Sequence, residues 1–229
     1  MRALAILAAG SSTRLGEDKV LADLGGRPVL VWSLAAAEAA GVFEQVLVVT
    51  APAAVSRVTE AVATAGSRAR VIAGGVTRTA STWAALDALP DAAVLAIHDS
   101  ARPFVLPSLF QRCVEAAEKD GAAATGLRLA ETVRRADEAG VSLEEVERDG
   151  LWTAQTPQAF RREMLVRARE AAHDRSFTDD AAAVTAGGMR VRMIPGDRRN
   201  LKITTLEDLA YARELADKGL AAMATVAIR

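Results

Sequence analysis

A single cysteine, Cys113, stands in 229 residues, so no internal disulfide can form. Two histidines and no C-x-x-C pair leave no familiar zinc cluster. No apolar run approaches the ~20 residues that span a bilayer. Neither sign of charge dominates: 28 Lys and Arg against 29 Asp and Glu leave a formal net charge of -1. That balance supplies no broad basic field for nucleic acid or an anionic membrane, so neither is expected as a partner and any anion site must be local. A reducing, cytoplasmic setting fits the lone thiol. The opening M-R-A-L-A-I-L-A-A-G has the arginine and small residues of a signal peptide, but its apolar run only reaches the minimum of ~7 residues and a charged loop follows at once. It reads better as a strand.

What is present is enough apolar material for one core, 51% of residues, arranged as short runs alternating with longer helical segments. The runs Leu4–Ala9, Val46–Thr50, Arg70–Ala73, Val94–His98 and Ala122–Leu127 are too continuously apolar to have one wet face, which points to strands covered on both sides. Between them, Pro28–Ala40, Pro52–Ala65, Val76–Leu89 and Pro107–Lys119 are Ala-rich and roughly amphipathic, three of them beginning with proline where a first helical turn tolerates it. The pattern predicts an α/β fold with a doubly wound, mostly parallel, Rossmann-like sheet.

The rhythm breaks over 131–149, E-T-V-R-R-A-D-E-A-G-V-S-L-E-E-V-E-R-D, where D-E-A-G reads as a turn and the flanks as a projecting hairpin arm. An isolated two-stranded arm is marginal alone, so a second copy of the chain is the simplest surface for it to pack on. Afterwards the α/β pattern resumes: Leu151–Gln155, a helix over Arg161–Ala172, another from Thr178, a strand at Arg190–Ile194, and Leu201–Thr204 leading into a last helix that Thr205 and Asp208 cap. No repeat or linker divides residues 1–229, which read as one domain carrying the arm.

Ligands of open parallel sheets bind beyond the carboxyl ends of the strands. Those ends carry Gly10-Ser11-Ser12-Thr13-Arg14 with Lys19 five residues on, Gly74-Gly75, His98-Asp99-Ser100-Ala101-Arg102, and Asn200-Leu201-Lys202. The first loop has neither the G-x-G-x-x-G spacing nor the G-K-[ST] ending of familiar phosphate loops. Arg14, Lys19 and Lys202, if they meet, make a cationic cage suited to a triphosphate, and Gly10 and Gly75 let backbone N–H groups approach it. Asp99 sits where a carboxylate can hold Mg²⁺ beside substrate phosphates; a helix cap or an ion pair with Arg102 are its other readings. Asp179 and Asp180 suit helix capping, with metal or substrate contact also open. His98 and Cys113 read as packed residues and His173 as solvated. Nothing forms a Ser–His–Asp set.

Six stretches in order, L-A-A-G-S-S-T-R-L-G-E-D-K, A-G-G-V-T-R-T-A-S, H-D-S-A-R-P-F, G-L-W-T-A-Q-T-P-Q-A-F, F-T-D-D-A and N-L-K-I-T-T-L-E-D-L, together resemble the 2-C-methyl-D-erythritol 4-phosphate cytidylyltransferases across nearly the whole chain. The resemblance implies a homodimeric nucleotidyltransferase of isoprenoid precursor synthesis that joins CTP to methylerythritol phosphate with Mg²⁺ and releases pyrophosphate. It implies CTP contacts at Ala8, Ala9, Gly10, Arg14, Lys19, Gly75, Ser81 and Ser100, with Lys202 at the reacting phosphate. Asp99, Arg102, Thr132 and Arg148 would serve the second substrate, the last two reaching in from the neighbouring arm. Against the family pattern, Asp18 replaces a proline, Val20 a glutamine, Val76 an acidic residue and Ser12 a glycine, and G-L-R-L-A-E-T leads into Thr132 in place of P-V-x-D-T. A pentitol (ribitol) 5-phosphate cytidylyltransferase is the nearest alternative, separated only by the alcohol pocket. Molybdopterin cytidylyltransferases share the opening loop but not the arm or the N-L-K-I-T ending, and a non-catalytic nucleotide sensor would not need Arg14, Lys19, Asp99 and Lys202 together.

Overall fold

The structure is a computed structural model describing residues 1–9, 19–173 and 175–219. In chain order its elements are β1 (Arg2–Ala8), β2 (Asp23–Leu24), β3 (Arg27–Pro28), α1 (Val29–Ala40), β4 (Gln45–Thr50), α2 (Val55–Thr64), β5 (Arg70–Ala73), α3 (Arg78–Ala88), β6 (Val94–Asp99), α4 (Pro107–Asp120) and β7 (Ala122–Arg128). They continue with β8 (Val133–Ala136), β9 (Ser142–Val146), β10 (Trp152–Arg161), α5 (Arg162–Ala172), α6 (Asp180–Ala186), β11 (Arg192–Pro195) and α7 (Leu206–Asp217).

Among the described residues, seven strands form one sheet in the order β11-β7-β10-β6-β1-β4-β5. Neighbours run parallel except β10, which is antiparallel to both β6 and β7. The centre explains the continuous apolar runs. In β1, Leu4 and Ile6 join Leu30, Leu34, Val58 and Phe110 on one face, while Ala3, Ala5 and Leu7 join Leu86, Leu165 and Val184 on the other. With a side-chain period of two and helices on both faces, every position of the strand is a core position. A third, smaller cluster ties β2 and α7 to the body through Leu24, Val29, Phe104, Ile203 and Leu209. No helix of the described residues is long and apolar enough to cross a membrane.

Several boundaries shift for local reasons. α3 begins at Arg78 because the Thr77 side chain caps it by accepting from Ala80 N. α6 begins at Asp180, capped by Asp179 rather than Thr178. The late strand lies at Arg192–Pro195, in register with Ala123–Gly126 of β7. Residues 200–203 form no strand; Ile203 N donates instead to Ala101 O at 2.8 Å. The arm is a hairpin, β8 against β9, turned where Asp137 Oδ1 accepts from Ala139 N and Val141 N and Gly140 takes a φ of 79°. Arg135 pairs with Glu144 across it at 2.7 Å, and Val141 and Leu143 stand 59% and 61% exposed.

Candidate active site

The carboxyl ends of β1 and β6 open on a cavity of about 280 Å³ whose lining includes Lys19, Arg78, Ser81, Asp99, Ser100 and Lys202. A second cavity, of about 200 Å³, shares Arg78, Asp99 and Lys202 and adds Arg102, Thr156, Gln158 and Asp179. Asp99, the last residue of β6, is therefore the wall between two spaces. One carboxylate oxygen receives Lys202 Nζ at 2.7 Å and the other Arg78 Nε at 3.2 Å. Burial alone would raise its pKa, but the charges of Arg78 and Lys202 outweigh it and hold the carboxyl well below the usual carboxylate range.

Arg78 is a site residue that the sequence does not single out. Its Nη2 also binds Asp180 Oδ2 at 2.8 Å, and Asp180, 3% exposed, takes the Thr82 hydroxyl on its other oxygen at 2.7 Å. Desolvation lowers the pKa of Arg78, but Asp180 and Asp99 more than reverse it, so the guanidinium stays charged. One signal could have found it: a cation in the first turn of a helix opposes the helix dipole and calls for an acidic partner. Asp180 is that partner, about 100 positions away, and only folding joins them. Thus Asp179 caps α6, accepts from Gln158 Nε2 at 2.9 Å and lines the smaller cavity, while the buried Asp180 is linked to the cleft through its ion pair with Arg78.

Arg102 does not pair with Asp99. Its Nη1 donates to Asn200 O at 2.8 Å and its Nη2 to Ala154 O at 3.4 Å, while Nε has no partner among the described residues. Burial lowers its pKa. Arg102 lines the smaller cavity, and its unused Nε is buried.

The remaining positions separate clearly. Ala9 lines the larger cavity, and Ala8 is buried with its carbonyl accepting from Thr50 Oγ1 at 3.5 Å. Gly75 lies against the first turn of α3, where a Cβ would come within 2.4 Å of Ala80 Cβ. Thr132 and Arg148 are exposed on the arm, and Arg148 Nη1 donates to Ala130 O; neither lines either cavity. Gly10 and Arg14 lie outside the described residues. Among those described, no group of three or more His, Cys, Asp or Glu could hold a metal ion. Both Asp99 oxygens are already engaged by cations, so the donor set suits a metal that arrives on phosphates rather than a cage of side chains.

Residues 3–217 match the family model described as 2-C-methyl-D-erythritol 4-phosphate cytidylyltransferase. A protein of that name from Deinococcus radiodurans is 42% identical over 214 residues, covering 92% of this chain and 87% of its own length. A bifunctional IspD/IspF enzyme of Desulforudis audaxviator is 39% identical over 93% of this chain, which spans only 56% of that relative and 58% of a second bifunctional one from Anaeromyxobacter. A crystal structure of the Thermus thermophilus cytidylyltransferase superposes with a TM-score of 0.77 at 32% identity, covering 95% of this chain and all of that one.

Proposed function

The chain belongs to the 2-C-methyl-D-erythritol 4-phosphate cytidylyltransferase family, and from that premise we propose that its cleft transfers a cytidylyl group from CTP to methylerythritol phosphate, releasing pyrophosphate, as a step of isoprenoid precursor synthesis. The observation that carries the reading is the convergence of Lys19, Asp99 and Lys202, from three distant parts of the chain, on one cavity at the sheet's carboxyl edge. A phosphate oxygen of the second substrate attacks the α-phosphorus of CTP in line. The new O–P bond forms as the bond to the β-phosphate oxygen breaks, and pyrophosphate carries away the electron pair. A phosphate monoester dianion needs no strong general base, so positioning and charge neutralisation supply most of the catalysis.

In this reading Lys19 and Arg14 face the departing pyrophosphate, and the nucleoside lies along Ala8, Ala9, Gly10, Gly75, Ser81 and Ser100. Lys202 exchanges its 2.7 Å contact with Asp99 for the charge that develops on the α-phosphate. Asp99 and Arg102 receive the second substrate, the carboxylate for hydroxyls and the guanidinium for oxygen acceptors. Mg²⁺, entering on the triphosphate, would neutralise its oxygens. The exposed hairpin, with Val141 and Leu143 bare, is the reason to infer a homodimer in which Thr132 and Arg148 reach the neighbouring cleft. A cytoplasmic site suits the single buried thiol.

Purified protein is incubated with CTP, Mg²⁺ and either methylerythritol phosphate or ribitol 5-phosphate while pyrophosphate is followed. Turnover is expected with the first and a fall of about a hundredfold or more for Lys202→Ala. Turnover with ribitol phosphate alone would overturn the substrate, and none with either would overturn the transfer itself. Mixing Arg148→Ala and Lys202→Ala chains should restore activity if the arm is exchanged; no restoration counts against a shared site.

A further inference from the structure

His98 lines neither cavity and is wholly enclosed, yet it adjoins Asp99 in the sequence. Its Nε2 lies 3.3 Å from the carbonyl oxygen of Arg102, and its Nδ1 lies 3.0 Å from Thr156 Oγ1. A carbonyl can only accept, so Nε2 carries the proton. Burial pushes the imidazole pKa down to about 4, so the ring is neutral near pH 7 and Nδ1 is a bare acceptor. The single hydroxyl proton of Thr156 therefore goes to Nδ1, and its oxygen is left to accept from Asp99 N–H at 3.0 Å. Every donor and acceptor along this path has one assignment.

The hydrogen bonds also close a ring. Asn200 Nδ2 donates to Thr156 O at 2.7 Å, Arg102 Nη1 donates to Asn200 O at 2.8 Å, and Arg102 O returns to His98. Arg102 N donates to Asp99 O at 3.0 Å within the turn, and the edge-on ring of Phe110, 5.2 Å from the imidazole, limits its rotation. Three segments are thereby registered to one another: the end of β6, the middle of β10, and the stretch that carries Lys202 two residues after Asn200.

We propose that His98 and Thr156 are a positioning pair that fixes both ends of the Asp99–Arg102 turn, and through it the half of the cleft that receives the second substrate. The inference rests on the cytidylyl-transfer reading for its kinetic consequence. His98 lies outside both cavities and acts through the backbone of Asp99 and Arg102. Thr156 lines the smaller cavity but spends its hydroxyl on the Asp99 amide and the imidazole. A neutral ring suits a place where Asp99, Arg102, Arg78 and Lys202 already crowd their charges, because it braces the turn without altering the local field.

Thr156→Val removes the hydroxyl at nearly constant shape, and Thr156→Ser keeps it. The valine variant should lose about tenfold to a hundredfold in kcat/KM for methylerythritol phosphate while KM for CTP moves by less than about twofold, and the serine variant should recover most of the loss. Unchanged kinetics in the valine variant, or equal effects on both substrates, would overturn the pair. Nitrogen-15 NMR of histidine in the wild-type protein reads the geometry without activity and without any variant. His98 should show a protonated Nε2 and a bare Nδ1 at pH 7, beside the exposed His173; a protonated Nδ1 there would refute the assignment. Absence of pyrophosphate release by the wild type sinks the transfer reading alone, since the NMR result still decides the pair.

Discussion

Replacing Arg78 by methionine deletes one guanidinium from between two carboxylates that are 3% and 8% exposed. The substitution breaks ion pairs of 2.8 Å to Asp180 and 3.2 Å to Asp99. At an effective dielectric of about 20, unit charges ~4 Å apart attract by about 4 kcal/mol, part of which offsets the desolvation of the ions themselves. Asp99 keeps Lys202, while among the described residues Asp180 keeps the neutral Thr82 hydroxyl and no cation, so most of the penalty falls on Asp180. Removing one partner of a buried pair costs about 3–5 kcal/mol, and that is the expected loss in urea unfolding followed by tryptophan fluorescence. Asp180→Asn in the same chain keeps the shape and the Thr82 interaction while removing the stranded charge, so it should recover at least about 1.5 kcal/mol, read as coupling in a double-mutant cycle. A loss under about 1 kcal/mol for Arg78→Met, with additive double mutants, would show that the Arg78 bridge is not a structural tie and refute the reasoning.

Two further perturbations follow from the same geometry. His98 has its pKa lowered by burial from 6.5 to about 4, so its neutral form stabilises the fold fully above pH 6.5 and that contribution is lost as pH falls towards 4. The loss is about 3 kcal/mol at about 1.4 kcal/mol per pH unit, and the depressed Asp99 adds to it in the same direction below its ordinary value. His98→Gln should flatten the acid limb of stability between pH 6.5 and 4, and identical limbs in the two proteins would contradict the buried neutral ring. Gly75→Ala would set a Cβ 2.4 Å from Ala80 Cβ and 3.0 Å from its carbonyl carbon, forcing the first turn of α3 to move with Thr77, Arg78 and Ser81. A cost of about 1–3 kcal/mol and a raised KM for CTP are expected, partly relieved by Ala80→Gly, and an unperturbed Gly75→Ala protein would rule out the close approach.

Legibility in the sequence follows the range of the interaction. The β1, β4 and β6 runs are readable because burial on both faces writes itself as uninterrupted apolar residues, and the helix start at Thr205 because capping is local. The hairpin can be read from D-E-A-G and its charged flanks, since the Asp137 turn is made by neighbours. β10 is visible only at its beginning. Its insertion between β6 and β7, antiparallel to both, depends on which strands have open edges after the others pair. A spacing of three makes Arg102 a natural partner for Asp99; in the fold that carboxylate turns to Arg78 and Lys202 instead.

The order of residues alone therefore specified the class of fold, the edge of the sheet where chemistry gathers, and the motifs that mark a cytidylyltransferase family, because periodicity, turn chemistry and strand-end position are properties of short segments. Which ion meets which, that Asp99 divides two cavities, and that His98 reaches the Asp99 amide through Thr156 were decided by the tertiary structure. Those interactions link residues from 21 to about 100 positions apart. A charge or a hydroxyl of that kind has many possible partners along the chain, and packing excludes all but a few.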